Sequence, residues 1–226
     1  MKRILVVGGG VIGMLSALEL ARAGQLVQLF DRADTGRESS WAGGGIISPL
    51  FPWRYLDSVT HLASWGQRHY ANLATTLAQH TGVDPEYTEC GLILVAPDET
   101  EAAEKWAEQH HRQMAVIDAE EFHRLEPHAA EPTEALWMPA VGQVRNPRLA
   151  RALRRRLEQL GVDIRTDSEV HALLQTNGRC QGVDSSSGRF AADVVIVCAG
   201  AWSGRLLADL PAPPAIAPMR GQMLMF

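Results

Sequence analysis

Several things are scarce in this sequence, and each scarcity closes a door. Cysteine is one: three residues in 226, at Cys90, Cys180 and Cys198. An odd number of widely spaced thiols fits no disulfide framework, zinc spacing or redox pair. They read as buried small hydrophobes in a reducing compartment. Basic charge is also short. A net charge of −5 and a pI near 5.9 leave no surplus for the basic face that nucleic-acid binding requires, so no nucleic-acid partner is expected. No uncharged apolar stretch approaches the ~20 residues that cross a bilayer, so no membrane partner is expected either. Lys2-Arg3 ahead of an apolar run imitates a secretory signal, but three consecutive glycines break the run and Glu19 follows. The expected location is the cytoplasm. His61, His69 and His80 share one helical stretch without the i, i+4 pairing and further ligands a metal needs, so no metal site is expected.

What is present is an ample core, with 46% hydrophobic and 21% charged residues, in a chain long enough for one large domain or two small ones. Its organising stretch is residues 2–31. Ile4-Leu5-Val6-Val7 leads directly into Gly8-Gly9-Gly10-Val11-Ile12-Gly13. An apolar helical pattern through Leu15, Leu18 and Leu20 stops at Gly24, and Leu26-Val27-Gln28-Leu29-Phe30 ends on Asp31. Strand, glycine turn, helix, strand and acid make up the dinucleotide-binding fingerprint in its full setting. Gly8 permits the tight turn, Gly10 admits a pyrophosphate to the backbone, and Gly13 lets the helix lie close to the strands. The helix N-terminus offers unpaired N–H groups and a partial positive charge to phosphate. Asp31, 18 residues beyond Gly13, is spaced to accept ribose hydroxyls.

A polar, glycine-rich segment follows at residues 32–45, containing Ser39-Ser40-Trp41-Ala42-Gly43-Gly44-Gly45 and running into Ile46-Ile47-Ser48-Pro49. So many small residues suggest backbone passing against a flat ligand, with hydroxyl and N–H groups turned to phosphate. A flexible surface loop is the plainer reading, and Trp41, Ile46 and Ile47 speak against it.

Further along, the spacing predicts a long helix over 55–82, a strand over 88–96 and an amphipathic helix over 98–111. A short strand over 114–117 precedes a helix capped by Asp118. Asn146-Pro147 opens another helix, with Leu149, Leu153, Leu157 and Leu160 on one face and five arginines between 148 and 156 on the other, as on a solvated exterior. Residues 162–165 read as a third parallel strand. A meander then turns at Asn177-Gly178 and Ser187-Gly188, and residues 192–200 form a buried apolar strand. Adjacent carboxylates such as Glu120 and Glu121 do not face each other on a helix, and no acid–base residue is assigned.

The fingerprint, the acid ending the second strand, and Ser39-Ser40-Trp41-Ala42-Gly43-Gly44-Gly45-Ile46 together resemble FAD-dependent amine oxidases of the D-amino-acid oxidase family. The run on to Phe51-Pro52-Trp53-Arg54-Tyr55 is most similar to the bacterial glycine oxidases of thiamine biosynthesis. NAD dehydrogenases share the fingerprint but not this segment. The resemblance implies an α/β fold: a Rossmann-like FAD-binding domain with a parallel sheet and an antiparallel meander, over 1–83 and 143–210. An incomplete α+β substrate domain is inserted, over 84–142 and 211–226. It implies FAD held by Gly8, Gly10, Val11, Ile12, Gly13, Asp31, Arg32, Ser39, Ser40, Gly43, Gly44, Gly45, Val170 and Gly200. Val170 would present its backbone to adenine, and Ala199-Gly200-Ala201-Trp202-Ser203 would run close to the cofactor.

The implied reaction is oxidative deamination of glycine or a related small amine or D-amino acid. Dioxygen is the second substrate, and the products are an imine and hydrogen peroxide. A homo-oligomer is expected. Residues 218–226 resemble a strand re-entering the substrate domain, with an open edge at 222–226. The family's substrate-gripping arginine falls beyond Phe226, so the chain alone is expected to be inactive. Two alternatives stay open: an NAD(P)-linked dehydrogenase and a non-catalytic nucleotide-binding fragment.

Overall fold

Four uncharged residues in a row, Ile4-Leu5-Val6-Val7, suit a strand covered on both faces, and such a strand lies inside a parallel sheet here. The computed structural model describes residues 1–95, 97–130, 132 and 134–221. In chain order, β1 (Arg3–Val7), α1 (Val11–Arg22), β2 (Leu26–Phe30) and the single turn α2 (Ser39–Ala42) come first. Then come α3 (Asp57–Thr81), β3 (Thr88–Glu89), β4 (Leu92–Leu94), α4 (Thr100–Gln109), β5 (Ala115–Ile117) and α5 (Ala119–Leu125). β6 (Ala135–Met138), β7 (Gly142–Gln143), α6 (Asn146–Gln159) and β8 (Asp163–Arg165) follow. The last elements are β9 (Val170–Thr176), β10 (Arg179–Ser185), β11 (Gly188–Ala191), β12 (Val194–Val197) and α7 (Ser203–Leu206).

The chain divides into two compact units. One comprises residues 1–44, 76–85 and 146–226; the other comprises 45–75 and 86–145. In the first, four parallel strands run in the order β12-β1-β2-β8. Side chains alternate across a strand. Leu5, Val7 and Phe30 pack on one face with Val170 and Val183 of the antiparallel meander β11-β10-β9. Ile4, Val6, Val27 and Leu29 are buried on the opposite side, as are Met14 and Leu18 of α1 and Leu149, Leu153 and Leu157 of α6. Each such side chain fully withdrawn from water contributes about 1.5–3 kcal/mol. Helix α1 ends where Gly24 adopts φ +73°, the left-handed stop a helix needs and glycine supplies without strain.

The second unit holds the antiparallel sheet β4-β6-β5 and the pair β3-β7. Leu94, Leu136 and Met138 meet Ala103, Trp106 and Ala107 of α4. Ile117 and Ala135 meet Phe122 of α5. Asp118 caps α5 by accepting the Glu121 N–H at 3.0 Å.

The α/β architecture, parallel sheet and meander are those expected, while several local expectations need correction. Cys90 and Cys180 are exposed and Cys198 is half-buried. Cys90 sits at a break where Gly91 takes φ +77°, which splits the expected strand over 88–96 into β3 and β4, and Cys180 follows a meander turn. β12 is not deeply buried; Val194 is 37% exposed because this strand is the outer one of its sheet among the described residues. The small-residue segment contains a helical turn, α2. Residues 45–75 go with the second unit: Ile46 bridges Gln143, the Ile47 N–H donates to Gly142 O at 2.9 Å, and Arg112 binds Ser64 and Gln67. Residues 211–221 form no strand and go with the first unit; the remainder of the expected strand and its open edge, 222–226, lies outside the described residues.

Within the second unit, Glu99 accepts hydrogen bonds from Trp53 Nε1 at 2.5 Å and from Arg54 Nε at 2.8 Å. The Arg54 bond, then the Trp53 bond, hold the Glu99 carboxyl down at about 2. A depressed carboxyl stabilises the fold above its ordinary value, and that contribution fades as pH falls toward the folded-state value. Glu99→Gln should therefore melt a few degrees below the parent at pH 7, the size expected of an exposed pair. The gap should close in acid, through the window from the ordinary glutamate value of 4.5 down to about 2. Melting curves across that range test this; a gap that widens in acid contradicts the pairing.

Candidate nucleotide-binding site

Val7, Phe30, Val197 and Arg165 stand in register, so β1, β2, β12 and β8 deliver their carboxyl ends to one edge of the sheet. Strand order reverses at β1, with β2 on one side and β12 on the other, and ligands of such sheets bind beyond that edge. The glycine turn lies there. Its anchors are backbone bonds to both neighbours: the Gly8 N–H donates to Phe30 O at 2.8 Å and the Cys198 N–H donates to Val7 O at 2.7 Å.

The three fingerprint glycines are needed for different reasons. Gly8 has φ +107°, and a Cβ there would lie 2.3 Å from the Cys198 carbonyl oxygen. At Gly13 a Cβ would lie 1.8 Å from Gly8 O, so the helix rests directly on the turn. At Gly10 only Ser40 Oγ is near, at 3.2 Å, which leaves the backbone open to a ligand. As the N-cap of α1, Gly10 has no side chain to offer. Ser40 substitutes for it from 30 positions away, its Oγ accepting the Val11 N–H at 2.9 Å. A hydroxyl that accepts one bond keeps its own proton to donate, so Ser40 can serve the helix and an anion together. Ile12 points outward, 64% exposed.

Asp31 is half-buried, and both carboxylate oxygens are in use: Oδ2 accepts the Gly9 N–H at 2.7 Å and Oδ1 the Ala33 N–H at 2.9 Å. A carboxylate has about four acceptor positions, so two outward positions remain for ribose hydroxyls. Arg32 is engaged twice, by Glu38 at 2.7 Å and by the Trp202 ring, 4.1 Å from its centroid. That stacking ties the loop after β2 to the turn Gly200–Trp202 after β12. Gly200 takes φ +54°, with open space on its Cβ side.

Ser39 opens α2, and its carbonyl accepts the Gly43 N–H at 3.1 Å. Gly43 in turn accepts Asn146 Nδ2 at 2.9 Å, and a Cβ on Gly43 would stand 2.7 Å from that nitrogen. Gly44 is exposed at the end of the first unit. Gly45, at φ +79°, belongs to the second unit, where its carbonyl accepts the Val144 N–H at 3.0 Å. Val170 buries its side chain among Leu5, Val7 and Phe30 at the start of β9, two residues after Ser168, whose N–H donates to Asp31 O at 2.8 Å. Beside the turn, burial pushes the Cys198 thiol up, with a hydrogen bond to Ser16 opposing it only in part, so the group stays protonated at neutral pH.

Thus Gly8, Gly10, Val11, Gly13, Asp31 and Ser40 converge on one edge, and Arg32 reaches Gly200 through Trp202. The sequence alone assigns no site role to Gly9 or Gly36, and it reports neither the bond from Asn146 to Gly43 nor the stacking of Trp202 on Arg32. For Gly36 the local signal is a Thr-Gly pair inside a polar segment. No group of three or more potential metal ligands occurs among the described residues, and no helix there is long and apolar enough to cross a membrane. A backbone cradle with room at Gly10, a helix N-terminus and a two-sided carboxylate fit the adenosine diphosphate part of a dinucleotide.

A sequence model described as FAD dependent oxidoreductase (DAO) matches residues 3–226. The chain belongs to this family. Glycine oxidase of Pseudomonas aeruginosa is 44% identical over 227 residues, covering 100% of this chain and 62% of the relative. The bifunctional protein ThiO/ThiG of a Nostoc species is 28% identical, covering 98% of this chain and 33% of its own length. The solved glycine oxidase of Bacillus cereus superposes with a TM-score of 0.84 at 26% identity, over 92% of this chain and 58% of that one. This member of the FAD dependent oxidoreductase family thus spans about three fifths of the length of the glycine oxidases it matches.

Proposed function

We propose that the chain binds FAD as part of an amine oxidase acting on glycine or a similarly small amine, in the branch that serves thiazole formation for thiamine. The cradle of Gly8, Gly10 and Gly13 facing Asp31 carries the cofactor reading; the glycine oxidase relatives support the substrate. In this reading the α1 N-terminus and the Ser40 hydroxyl take the pyrophosphate, where N–H groups and the helix dipole favour negative charge. Asp31 takes the ribose, and Val170 offers its backbone to adenine. Bound flavin would supply the acceptor for two electrons and the reaction with dioxygen that releases peroxide. The protein's part is to bind and orient.

Substrate carboxylates are commonly gripped by a bidentate guanidinium. Arg54 is a poor candidate for that grip, because Glu99 binds both its Nε and its terminal nitrogen and the Phe51 ring lies 4.0 Å away. Purified 226-residue chain should retain FAD, seen as flavin absorption after desalting, and should not retain NAD+. It should release no peroxide with glycine, sarcosine or D-alanine in a peroxidase-coupled assay. Tight NAD+ binding without FAD would overturn the cofactor assignment, and peroxide release would show that these residues already hold a complete active site.

A further inference from the structure

Gly9 occupies a place in the fingerprint that any residue could fill as far as the motif is concerned. Here it is buried, and its space is closed on the side facing the loop after β2: a Cβ would lie 2.7 Å from Thr35 Cγ2 and 2.9 Å from Asp31 Oδ2. That loop grips both polar groups of Gly9. Asp31 accepts its N–H at 2.7 Å, and the Gly36 N–H donates to its carbonyl at 2.8 Å. Gly36 can do so only as glycine. It takes φ +71°, and a Cβ there would lie 2.7 Å from the Cβ of Ala150 on α6. Backbone therefore lies flush against backbone, with helix α6 as the stop behind it.

The geometry of the peptide group gives this clamp a consequence. In a planar trans peptide the carbonyl and the following N–H point in opposite directions. Holding the Gly9 carbonyl toward Gly36 aims the Gly10 N–H away from the loop. Holding the Gly9 N–H toward Asp31 fixes the preceding peptide plane as well. We infer that Gly36 is a positioning residue: through Gly9 it sets the direction in which the glycine turn presents its N–H donors to a diphosphate. This rests on the nucleotide reading of the site above, and Gly36 itself needs no contact with the ligand.

The test compares three variants of the 226-residue chain, with ADP as the probe and calorimetry at a temperature where circular dichroism shows every variant folded. Gly36→Ala should raise the ADP dissociation constant by about tenfold or more, since donors a fraction of an ångström off line lose most of their advantage. Gly24→Ala is the control: φ is +73°, nearly the same, but a Cβ there meets nothing within 4 Å. It carries equal backbone strain and should change ADP affinity by no more than about twofold. Adding Ala150→Gly to Gly36→Ala removes the steric stop and should recover most of the loss. In ligand-free protein, the Gly9 amide should exchange hydrogen faster in Gly36→Ala than in Gly24→Ala. Parental ADP affinity in Gly36→Ala, or equal losses in the two alanine variants, overturns the inference. If the parent binds neither ADP nor FAD, the nucleotide reading falls by itself, and parental Gly9 exchange in Gly36→Ala would then reject the clamp.

Discussion

Gly13→Val should leave the first unit unable to fold around its glycine turn. Even the first atom of the new side chain would fall 1.8 Å from the Gly8 carbonyl oxygen, 3.0 Å from its carbon and 3.4 Å from Cys198 Cβ. The first two obstacles are backbone, which cannot rotate aside as a side chain can. Nor can α1 lift away, because Met14, Ala17 and Leu18 on the same helix are wholly buried. Overpacking costs about 1–3 kcal/mol where a core can adjust, and more where it cannot. Against a total stability of about 5–15 kcal/mol, a loss at or above the top of that range should bring unfolding down to near ambient temperature. Gly10→Ala is the comparison, since its Cβ would meet only Ser40 Oγ at 3.2 Å. That variant should melt close to the parent and lose flavin affinity instead. Denaturant titration of both variants decides the matter; a Gly13→Val chain as stable as its parent would show that helix and turn are not in contact.

What could be read from the residues follows the range of the interactions. The βαβ unit was legible because its parts are contiguous: an uncharged strand, glycines at fixed offsets, an apolar helical stripe and a terminal acid. Helix α6 announced itself through Asn146-Pro147, and the meander through Asn177-Gly178 and Ser187-Gly188, because caps and turns are written in adjacent residues. The strands of the second unit were harder. β6 and β7 were not anticipated, being four and two residues long and pairing with β4, β5 and β3, which are distant in sequence. The break at Gly91 arises because the Trp137 ring from β6 lies where a Cβ would be, a contact no local pattern reports. The same holds around the glycine turn. Ser40 reads from the sequence as a phosphate ligand, while its bond to Val11 spans 29 positions and leaves no local pattern. Asn146 reads from its neighbours as a helix cap, whereas its side chain reaches Gly43, 103 positions away.

Asp31→Ala should weaken FAD by one to two orders of magnitude, and it should also lower the melting temperature of the cofactor-free chain. The first effect follows from losing charge-assisted bonds to ribose, at about 1.5–3 kcal/mol. The second comes from the bonds the carboxylate already makes to Gly9 and Ala33, at 2.7 Å and 2.9 Å. Truncation leaves the N–H donors of buried Gly9 and half-buried Ala33 without their acceptor, at about 1–3 kcal/mol for a donor that water does not reach. Asp31→Asn separates the roles. An amide of the same shape keeps one acceptor oxygen but turns an NH2 toward the other backbone N–H, so one of the two internal bonds becomes a donor–donor contact. Ligand-free stability should then fall nearly as far as in the alanine variant, while the remaining oxygen still offers a neutral bond to ribose. FAD affinity should rank Asp, Asn, Ala, whereas stability without cofactor should rank Asp well above Asn and Ala together. Thermal melts of cofactor-free protein alongside FAD titrations give both orders. Unchanged melting with weakened FAD would mean the carboxylate serves the ribose alone; equal FAD affinity in all three would remove Asp31 from the site.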